Sequence, residues 1–256
     1  MTLRLQDAIA ARTLVKVIAG IDNTDAVSVS RVVEAARLAN APALDVSADE
    51  AIVSLARQGF DGILFASSVE PAALARAVEL GADVAELGNF DALYAAGTFL
   101  TAPMVKDLAQ QAVIAVQAVN ATAAVCVTIP GHLDTVSQQA LATDLAAMGV
   151  AMIQTEGAVR VLSAEPSVKA LSTEDQVALT LSNTQALVSV GVLPVMTATS
   201  LTVDTVADAI TAGACGVGVG RVVRQHRSVE DMTLTIKGIM KAVEASARPA
   251  MVALSA

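Results

Sequence analysis

The sequence predicts an α/β protein folded as a single (β/α)8 barrel. Short apolar runs alternate with amphipathic segments eight times, at a spacing of about 30 residues that suits one strand, one helix and their turns. The length of 256 residues matches the usual size of such a barrel. No linker or low-complexity stretch divides residues 1–256, so we expect one domain. Eight near-equal units favour closure into a barrel over a doubly wound open sheet.

The apolar runs are the predicted strands. A parallel strand is buried on both faces, so it is expected to be almost continuously apolar. The composition agrees, with 54% hydrophobic and 16% charged residues, and aromatic residues are so few, at 2%, that the core must be aliphatic. The predicted strands are Leu14–Ala19, Ala43–Ser47, Gly62–Ala66, Asp83–Leu87, Ala123–Thr128, Ala151–Thr155, Leu193–Thr197 and Gly216–Val219.

The segments between the runs carry helix signals. Ser28–Leu38 places its valines mostly on one stripe, and Pro71 stands where a first helical turn begins. Gly81, Gly149 and Gly213 stand where a helix ends and the next strand follows. Such short connections are what a barrel requires at its N-terminal face.

Charge and hydropathy exclude several classes of partner. The net charge of −9 repels phosphate backbones and anionic lipids, so neither nucleic acid nor a membrane is an expected partner. The stretches from Asp107 to Asp134 and from Asp175 to Asp204 are free of internal charge and long enough to span a bilayer. Both contain amides and Gly or Pro breaks, so each is interpreted as a helix followed by a buried strand. The N-terminus lacks a signal-peptide pattern, which predicts a cytoplasmic protein.

Lys16 is the first candidate for chemistry. The carboxyl ends of barrel strands surround one mouth, so polar side chains there converge whatever their separation in sequence. Lys16 lies inside the first apolar run, and the alternation of side chains turns it into the barrel interior. A buried lysine can have a lowered pKa and act as a Schiff-base nucleophile or as a base. The alternative is a buried ion pair with Glu86 or Asp45.

Acidic, amide and imidazole groups supply the other catalytic candidates. Glu86 ends the fourth strand and points inward, and Asp45 lies among apolar residues of the second. Gln154 and Glu156 share a face of the sixth strand, where one positions substrate and Glu156 acts as acid or base. His132, on the loop after the fifth strand, is either a general acid or base or a solvated side chain.

Further polar residues complete the predicted mouth. Ser67 and Ser68 end the third strand, and capping of the helix at Pro71 is their simple interpretation. Asp91 is likewise interpreted as a helix cap. The other predicted mouth residues are Asn89, Thr128 and Thr155.

The ends of the seventh and eighth strands are typical of a phosphate site. Barrels commonly bind phosphate with the loops after these two strands. Hydroxyl groups follow the seventh strand, and a glycine run after the eighth lets the backbone approach an anion. Arg221 either adds a charged contact or faces solvent. The predicted phosphate-binding residues are Thr199, Ser200, Gly216, Gly218, Gly220 and Arg221.

No cofactor is predicted. Neither a metal-ligand spacing nor a Walker-type loop occurs, and Cys126 and Cys215 lie in apolar runs typical of buried thiols rather than of a disulfide. A Mg²⁺ ion held by Asp45 and Glu86 stays open as an alternative. The segment Gly157–Glu174 is the candidate for a mobile loop over the active face.

Several phrases of the sequence together resemble the Ycf23 family, also called DUF561, of cyanobacteria and algal plastids. The similarity runs through nearly the whole chain in the same order. Its most specific parts contain Glu86 and Gln154. The resembling phrases are Lys16–Gly20 with Asn23, Glu86–Asp91 with Tyr94, Val127–Pro130, Ile153–Gly157 and Gly216–Gly220.

The resemblance implies a barrel related to phosphate-binding synthases and aldolases, and it implies no established reaction. The chain departs from the family pattern at Gly131, Ser200 and Arg221, as a divergent member would. The expected substrate class therefore rests on the predicted phosphate site.

The leading hypothesis is an enzyme for a small phosphorylated metabolite, of the lyase, synthase or aldolase kind. Lys16 would be its nucleophile or base, while Glu86, Gln154 and Glu156 handle protons and orientation. Two alternatives stay open, because this fold hosts many chemistries. One is a non-catalytic barrel that binds a metabolite or a partner protein in regulation, and the other is an isomerase or racemase. A homodimer is compatible with the sequence but not required by it.

Overall fold

Eight parallel strands close into a barrel in the order in which they occur along the chain. The computed structural model describes residues 1–88, 90, 93–94, 97–157 and 172–247. The predicted fold class is confirmed, and every predicted strand is present within two residues of its expected bounds. The strands are β1 (Leu14–Ile18), β2 (Ala43–Ser47), β3 (Ile63–Ser68), β4 (Val84–Leu87), β5 (Ala124–Ile129), β6 (Met152–Thr155), β7 (Val195–Thr197) and β8 (Gly216–Val219).

One helix precedes β1 and the others follow the strands, and several begin after a side chain that accepts a hydrogen bond from one of their first free N–H groups. Asp25, Asp49 and Asp134 each accept a hydrogen bond from the backbone of the helix that they precede. The helices are α1 (Leu3–Ala11), α2 (Ala26–Ala39), α3 (Glu50–Gly59), α4 (Pro71–Glu79), α5 (Ala102–Val119), α6 (Thr135–Ala147), α7 (Thr173–Val190), α8 (Val206–Thr211), α9 (Arg221–Arg224) and α10 (Val229–Ala247).

Strand alternation divides the apolar residues into two cores. The outer core packs the strands against the helices and contains outward-facing residues such as Val15 and Val127. The inner core fills the N-terminal half of the barrel, where Leu14, Phe65 and Met152 meet beneath Leu5 of α1. The N-terminal end is therefore filled by apolar side chains, and polar chemistry is left to the C-terminal half.

The two charge-free stretches form helix and strand, as predicted. The first contains most of α5 and all of β5, and the second contains most of α7 and all of β7. None of the described helices is both long and apolar enough to cross a bilayer.

The remaining fold predictions concern a loop and two thiols. Residues 158–171 of the predicted mobile loop lie outside the described residues, and Thr173 and Glu174 belong to α7. Cys126 and Cys215 are free and buried, as expected. Burial raises the pKa of the Cys215 thiol to about 12 and, together with the nearby Glu86 carboxylate, raises that of Cys126. Both therefore act as small apolar side chains.

Candidate active site

Six buried polar side chains form one layer directly above the inner core. They occupy inward positions of β1 to β6, and strand register places Ser67 beside Glu86 and Thr128 beside Gln154. Each is at most 6% exposed. The strands of a barrel surround one interior, so residues that are far apart in the sequence become neighbours there. We call this group the polar layer: Lys16, Asp45, Ser67, Glu86, Thr128 and Gln154.

Lys16 forms a buried ion pair at the centre of the polar layer. Its Nζ contacts Glu86 Oε2 and lies 4.8 Å from the centre of the Phe65 ring. Burial lowers the pKa of Lys16, but its neighbours, chiefly the carboxylates of Glu86 and Asp45, together raise it by more, so the net pKa lies above its ordinary value. The expected lowered pKa is therefore wrong, and the alternative of an ion pair with Glu86 is confirmed.

Gln154 joins Glu86 to Thr128. Its Nε2 donates to Glu86 Oε1 at 2.9 Å and to Thr128 Oγ1 at 3.3 Å, so each carboxylate oxygen of Glu86 has a partner. Gly88, at the end of β4, makes room for Thr128, since a Cβ at this position would lie 2.1 Å from Thr128 Oγ1. The geometry orients Glu86 firmly toward Lys16.

Asp45 forms the second acidic element of the polar layer. Ser67 Oγ donates to Asp45 Oδ1 at 2.6 Å. Burial has the largest effect on the pKa of Asp45 and raises it. The Lys16 charge lowers this pKa, the Glu86 charge raises it and the hydrogen bond from Ser67 lowers it, with a net pKa of about 7. A carboxyl group with this pKa can release or accept a proton at neutral pH. The interpretation of Ser67 as a cap is wrong, whereas Ser68 Oγ does accept from the Glu70 N–H before α4.

Substituting Asp45 with asparagine is expected to change how stability depends on pH. A folded pKa near 7 stands above the unfolded value of about 3.9, so the protonated group favours folding at low pH. Wild-type unfolding free energy should fall, on the order of 3 kcal/mol relative to Asp45→Asn, as pH rises from about 4 to about 7. Urea denaturation across this range measures it. Ser67→Ala removes a hydrogen bond that lowers the pKa of Asp45, so the decline in unfolding free energy should extend to higher pH. Parallel curves of unfolding free energy against pH for wild type and Asp45→Asn would contradict the raised pKa of Asp45.

Glu156 and His132 lie in a second cluster, above β5 and β6. Tyr94 Oη and the Gly131 N–H donate to Glu156 Oε2 at 2.9 and 3.0 Å. His132 Nε2 lies 3.0 Å from the Leu100 carbonyl oxygen, and its ring stands edge-on to Tyr94. His132 is therefore half-buried in an aromatic contact rather than solvated, and Glu156 is separate from the polar layer.

The predicted phosphate-binding residues of β7 and β8 do not all lie together. Thr199 and Ser200 follow β7 with φ angles of 87° and 58°, a left-handed conformation that costs energy in residues other than glycine. Ser200 Oγ donates to Gln176 Oε1 at 2.6 Å. Gly218 and Gly220 face inward near this loop. Gly216 does not belong with them, because it packs against β1 next to Leu14 in the inner core.

Two further predicted positions need correction. Thr155 alternates with Gln154 on β6 and so lies on the outer face, where its Oγ1 accepts from the Ala198 N–H at 3.4 Å. Arg221 is exposed, which is one of its two predicted alternatives, and the equally exposed Arg224 brings its guanidinium group near Gly20. Its Nη1 lies 3.5 Å from the position that a Cβ of Gly20 would take. Asn89 and Asp91 lie outside the described residues.

No group of three or more His, Cys, Asp or Glu side chains suited to a metal ion occurs among residues 1–88, 90, 93–94, 97–157 and 172–247. Asp45 and Glu86 are the pair for which Mg²⁺ stays open as an alternative. The Asp45 carboxylate accepts a hydrogen bond from Ser67, and the Glu86 carboxylate accepts hydrogen bonds from Lys16 and Gln154.

Sequence reasoning gave no role in the site to three residues that the structure brings to the mouth. Ser67 lies at an inward position of its strand, as the polar residues of the neighbouring strands do on theirs. This alternation would have identified Ser67 as a site residue. Arg224 stands one helical turn after Arg221, on a short helix whose direction the sequence does not reveal. Tyr94 follows β4 at a distance where only the tertiary structure shows that it reaches Glu156.

Solved structures of similar fold include enzymes named for phosphorylated compounds. A structure of "3-Hexulose-6-Phosphate Synthase" superposes with a TM-score of 0.60 at 15% identity, covering 89% of this chain and 98% of that chain. The thiamine phosphate pyrophosphorylase of Pyrococcus furiosus gives a TM-score of 0.59 at 15% identity, covering 93% and 98%. A structure of KGPDC from Streptococcus mutans gives 0.64 at 14% identity, covering 90% and 97%. At these identities the similarity establishes the fold alone.

Sequence relatives are closer. The Ycf23 protein of Antithamnion sp., described as uncharacterized, is 28% identical over 237 residues, which cover 90% of this chain and 84% of the relative. The Ycf23 protein of Cyanophora paradoxa is 27% identical over 233 residues, covering 91% and 93%. The model of the "Protein of unknown function (DUF561)" family matches residues 1–248. With nearly its whole length matched, the chain belongs to the DUF561 family.

Proposed function

We propose that the protein is a lyase or synthase that forms or breaks a carbon–carbon bond in a small phosphorylated metabolite at the C-terminal face of the barrel. The observation that carries this proposal is the buried Lys16–Glu86 ion pair with Asp45 beside it. Buried charges are costly, and a cation with two neighbouring acids at the end of a barrel is typical of an acid–base site. The similar fold of a hexulose phosphate synthase is consistent with this class.

The polar layer suits a reaction through an enolate. Asp45, with a pKa of about 7, takes a proton from the carbon next to a substrate carbonyl. The electron pair moves to the carbonyl oxygen, which accepts a hydrogen bond from the Lys16 ammonium group. The enolate carbon then bonds to a second carbonyl carbon, whose oxygen takes the proton back from Asp45. Cleavage is the reverse sequence.

Lys16 acts in this proposal as a cation and not as an amine nucleophile, because its pKa is raised. Incubation with dihydroxyacetone phosphate and cyanoborohydride, followed by mass spectrometry, should show no adduct at Lys16. Lys16→Arg, which retains the charge but forms no Schiff base, is the matched variant and should still bind the compound. An adduct at Lys16 that is missing from Lys16→Arg would replace this mechanism with a Schiff-base one.

The loops after β7, β8 and β1 are proposed to hold the phosphate. Ser200 offers a left-handed backbone of the kind found in anion-binding loops, and Gly220 allows close approach. The Arg224 guanidinium lies beside Gly20 and Gly220 and has no ion pair within the part of the chain that the structure describes. A bound phosphate would form a charge-assisted pair with this guanidinium group.

Inorganic phosphate tests this end of the site by thermal denaturation. At about a hundred times its dissociation constant, phosphate should stabilise the folded protein by about 2.7 kcal/mol. Arg224→Ala should lose most of the shift in midpoint, because it removes the only charge assigned to the anion, while Lys241→Ala, an exposed cation on α10, should retain it. Equal shifts in both variants, or none in wild type, would refute the phosphate site.

A further inference from the structure

Gln154 leaves one buried polar atom without a partner. Both hydrogens of its amide nitrogen are used, by Glu86 Oε1 and Thr128 Oγ1. The amide cannot be reversed, because its oxygen would then face the Glu86 carboxylate. Gln154 Oε1 accepts no hydrogen bond from any described residue, although the side chain is only 6% exposed. A buried acceptor of this kind is destabilising unless a ligand or water supplies a donor.

The unpartnered oxygen faces the inner side of β8, where side chains are missing. The inward positions of β8 and the residue that follows it are all glycine. Gly218 is paired in register with Lys16, and a Cβ on it would lie 3.3 Å from Gln154 Oε1 and 3.1 Å from Ile18 Cδ1. A Cβ at Gly218 would also lie 3.1 Å from Ala198 Cβ, so this position is too tight for a side chain, and only the backbone of β8 lies beside the acceptor.

Packing does not require glycine at position 220, just after the end of β8. A Cβ at Gly220 would approach no atom closer than 3.4 Å, which is ordinary contact, and its φ of −120° is open to any residue. Gly218 and Gly220 thus define a strip of backbone without side chains that leads from Lys16 to the proposed phosphate loops. We call this strip the β8 groove.

We propose that the substrate is a phosphorylated polyhydroxy compound whose carbon chain lies in the β8 groove and whose hydroxyl donates a hydrogen bond to Gln154 Oε1. This rests on the proposed function only for the position of the phosphate. A hydroxyl is favoured over an ammonium group because Lys16, at the same level, would repel a second cation. The two glycines are about 6.6 Å apart along the strand, which a chain of four or five carbons fills.

Calorimetric titration with matched ligands tests the inference. Ribitol 5-phosphate and n-pentyl phosphate have the same chain length and differ in their hydroxyl groups, and neither has a carbonyl group that can react. We expect wild type to bind ribitol 5-phosphate about tenfold more tightly than n-pentyl phosphate, the contribution of roughly one hydrogen bond. Gln154→Met, of similar size but without the acceptor, should remove this preference and leave the affinity for inorganic phosphate within about twofold.

Two variants separate a local effect from a general loss of structure. Ile153→Val changes the neighbouring residue of β6 in the outer core and should retain the preference. Gly218→Ala places a methyl group beside Gln154 Oε1 and should weaken ribitol 5-phosphate while the amide keeps its own hydrogen bonds. If Gln154→Met does not fold, Gly218→Ala decides the outcome.

The inference and the proposed function fail in different ways. Equal affinity of wild type for the two organic phosphates, or an unchanged preference in Gln154→Met and Gly218→Ala, would overturn the hydroxyl contact and leave the phosphate site standing. If neither inorganic phosphate nor n-pentyl phosphate binds, the phosphate site is refuted. Titration with unphosphorylated ribitol then tests the hydroxyl contact by itself. Ribitol binding that is lost in Gln154→Met supports the contact, and no ribitol binding refutes it.

Discussion

Replacing Lys16 with methionine is expected to lower the free energy of unfolding by about 3–5 kcal/mol. Glu86 is 2% exposed and would lose the cation that compensates its charge in a low-dielectric interior. Methionine matches the length of the lysine stem, so the loss reports the charge and not a cavity. Urea denaturation measures it, and the same variant should have no detectable activity on any substrate that is found.

The double variant Lys16→Met/Glu86→Gln is the control for this prediction. It removes both charges and keeps an oxygen for Gln154, so it should recover most of the stability. In wild type, the raised pKa of Lys16 means that the stabilisation from its charge persists below pH 10.5 and is lost only as pH rises through the folded value. A loss below about 1 kcal/mol in Lys16→Met would show that the pair does not hold a buried charge.

Replacing Gly216 with alanine should be comparably severe, for a steric reason. The new Cβ would lie 2.2 Å from the Leu14 carbonyl oxygen and 2.6 Å from Leu14 Cβ. Leu14 and Gly216 are register partners where β1 and β8 close the barrel, so the backbone cannot move aside without opening that pairing. We expect a loss of about 3 kcal/mol or more, seen as a fall of roughly 6–12 °C in the thermal midpoint.

Gly220→Ala is the matched control. It changes a glycine of the same run, but its Cβ would meet only ordinary contacts at 3.4–3.6 Å, so stability should change by less than about 1 kcal/mol. Equal thermal midpoints for the two variants would contradict the distinction between a packing glycine and a groove glycine.

Much of the fold follows from local pattern. Eight apolar runs with helices between them are enough to predict a closed parallel barrel, because each run must be buried on both faces and each helix must cover one of them. Alternation along β1 and β6 also predicts that Lys16 and Gln154 face the interior. The pattern does not place Thr155 correctly, since its polarity suggests the mouth while its parity puts it in the outer layer.

The glycine run shows the limit of a motif. In sequence, Gly216, Gly218 and Gly220 are equivalent and together indicate a phosphate loop. In the structure Gly216 is required by its contact with Leu14, Gly218 has close neighbours at 3.1–3.3 Å, and a Cβ at Gly220 would meet only ordinary contacts. Only the neighbours of each position, from other strands, separate these roles.

The sequence by itself determined that this chain is an eight-stranded barrel with a buried lysine and acids near its strand ends. The tertiary structure decided what those groups are. Glu86 comes from the fourth strand and Lys16 from the first, and the sign of the Lys16 pKa shift depends on the balance between burial and the distances to two carboxylates. Such distances are set by barrel closure, which brings together residues whose separation along the chain carries no information about their contact.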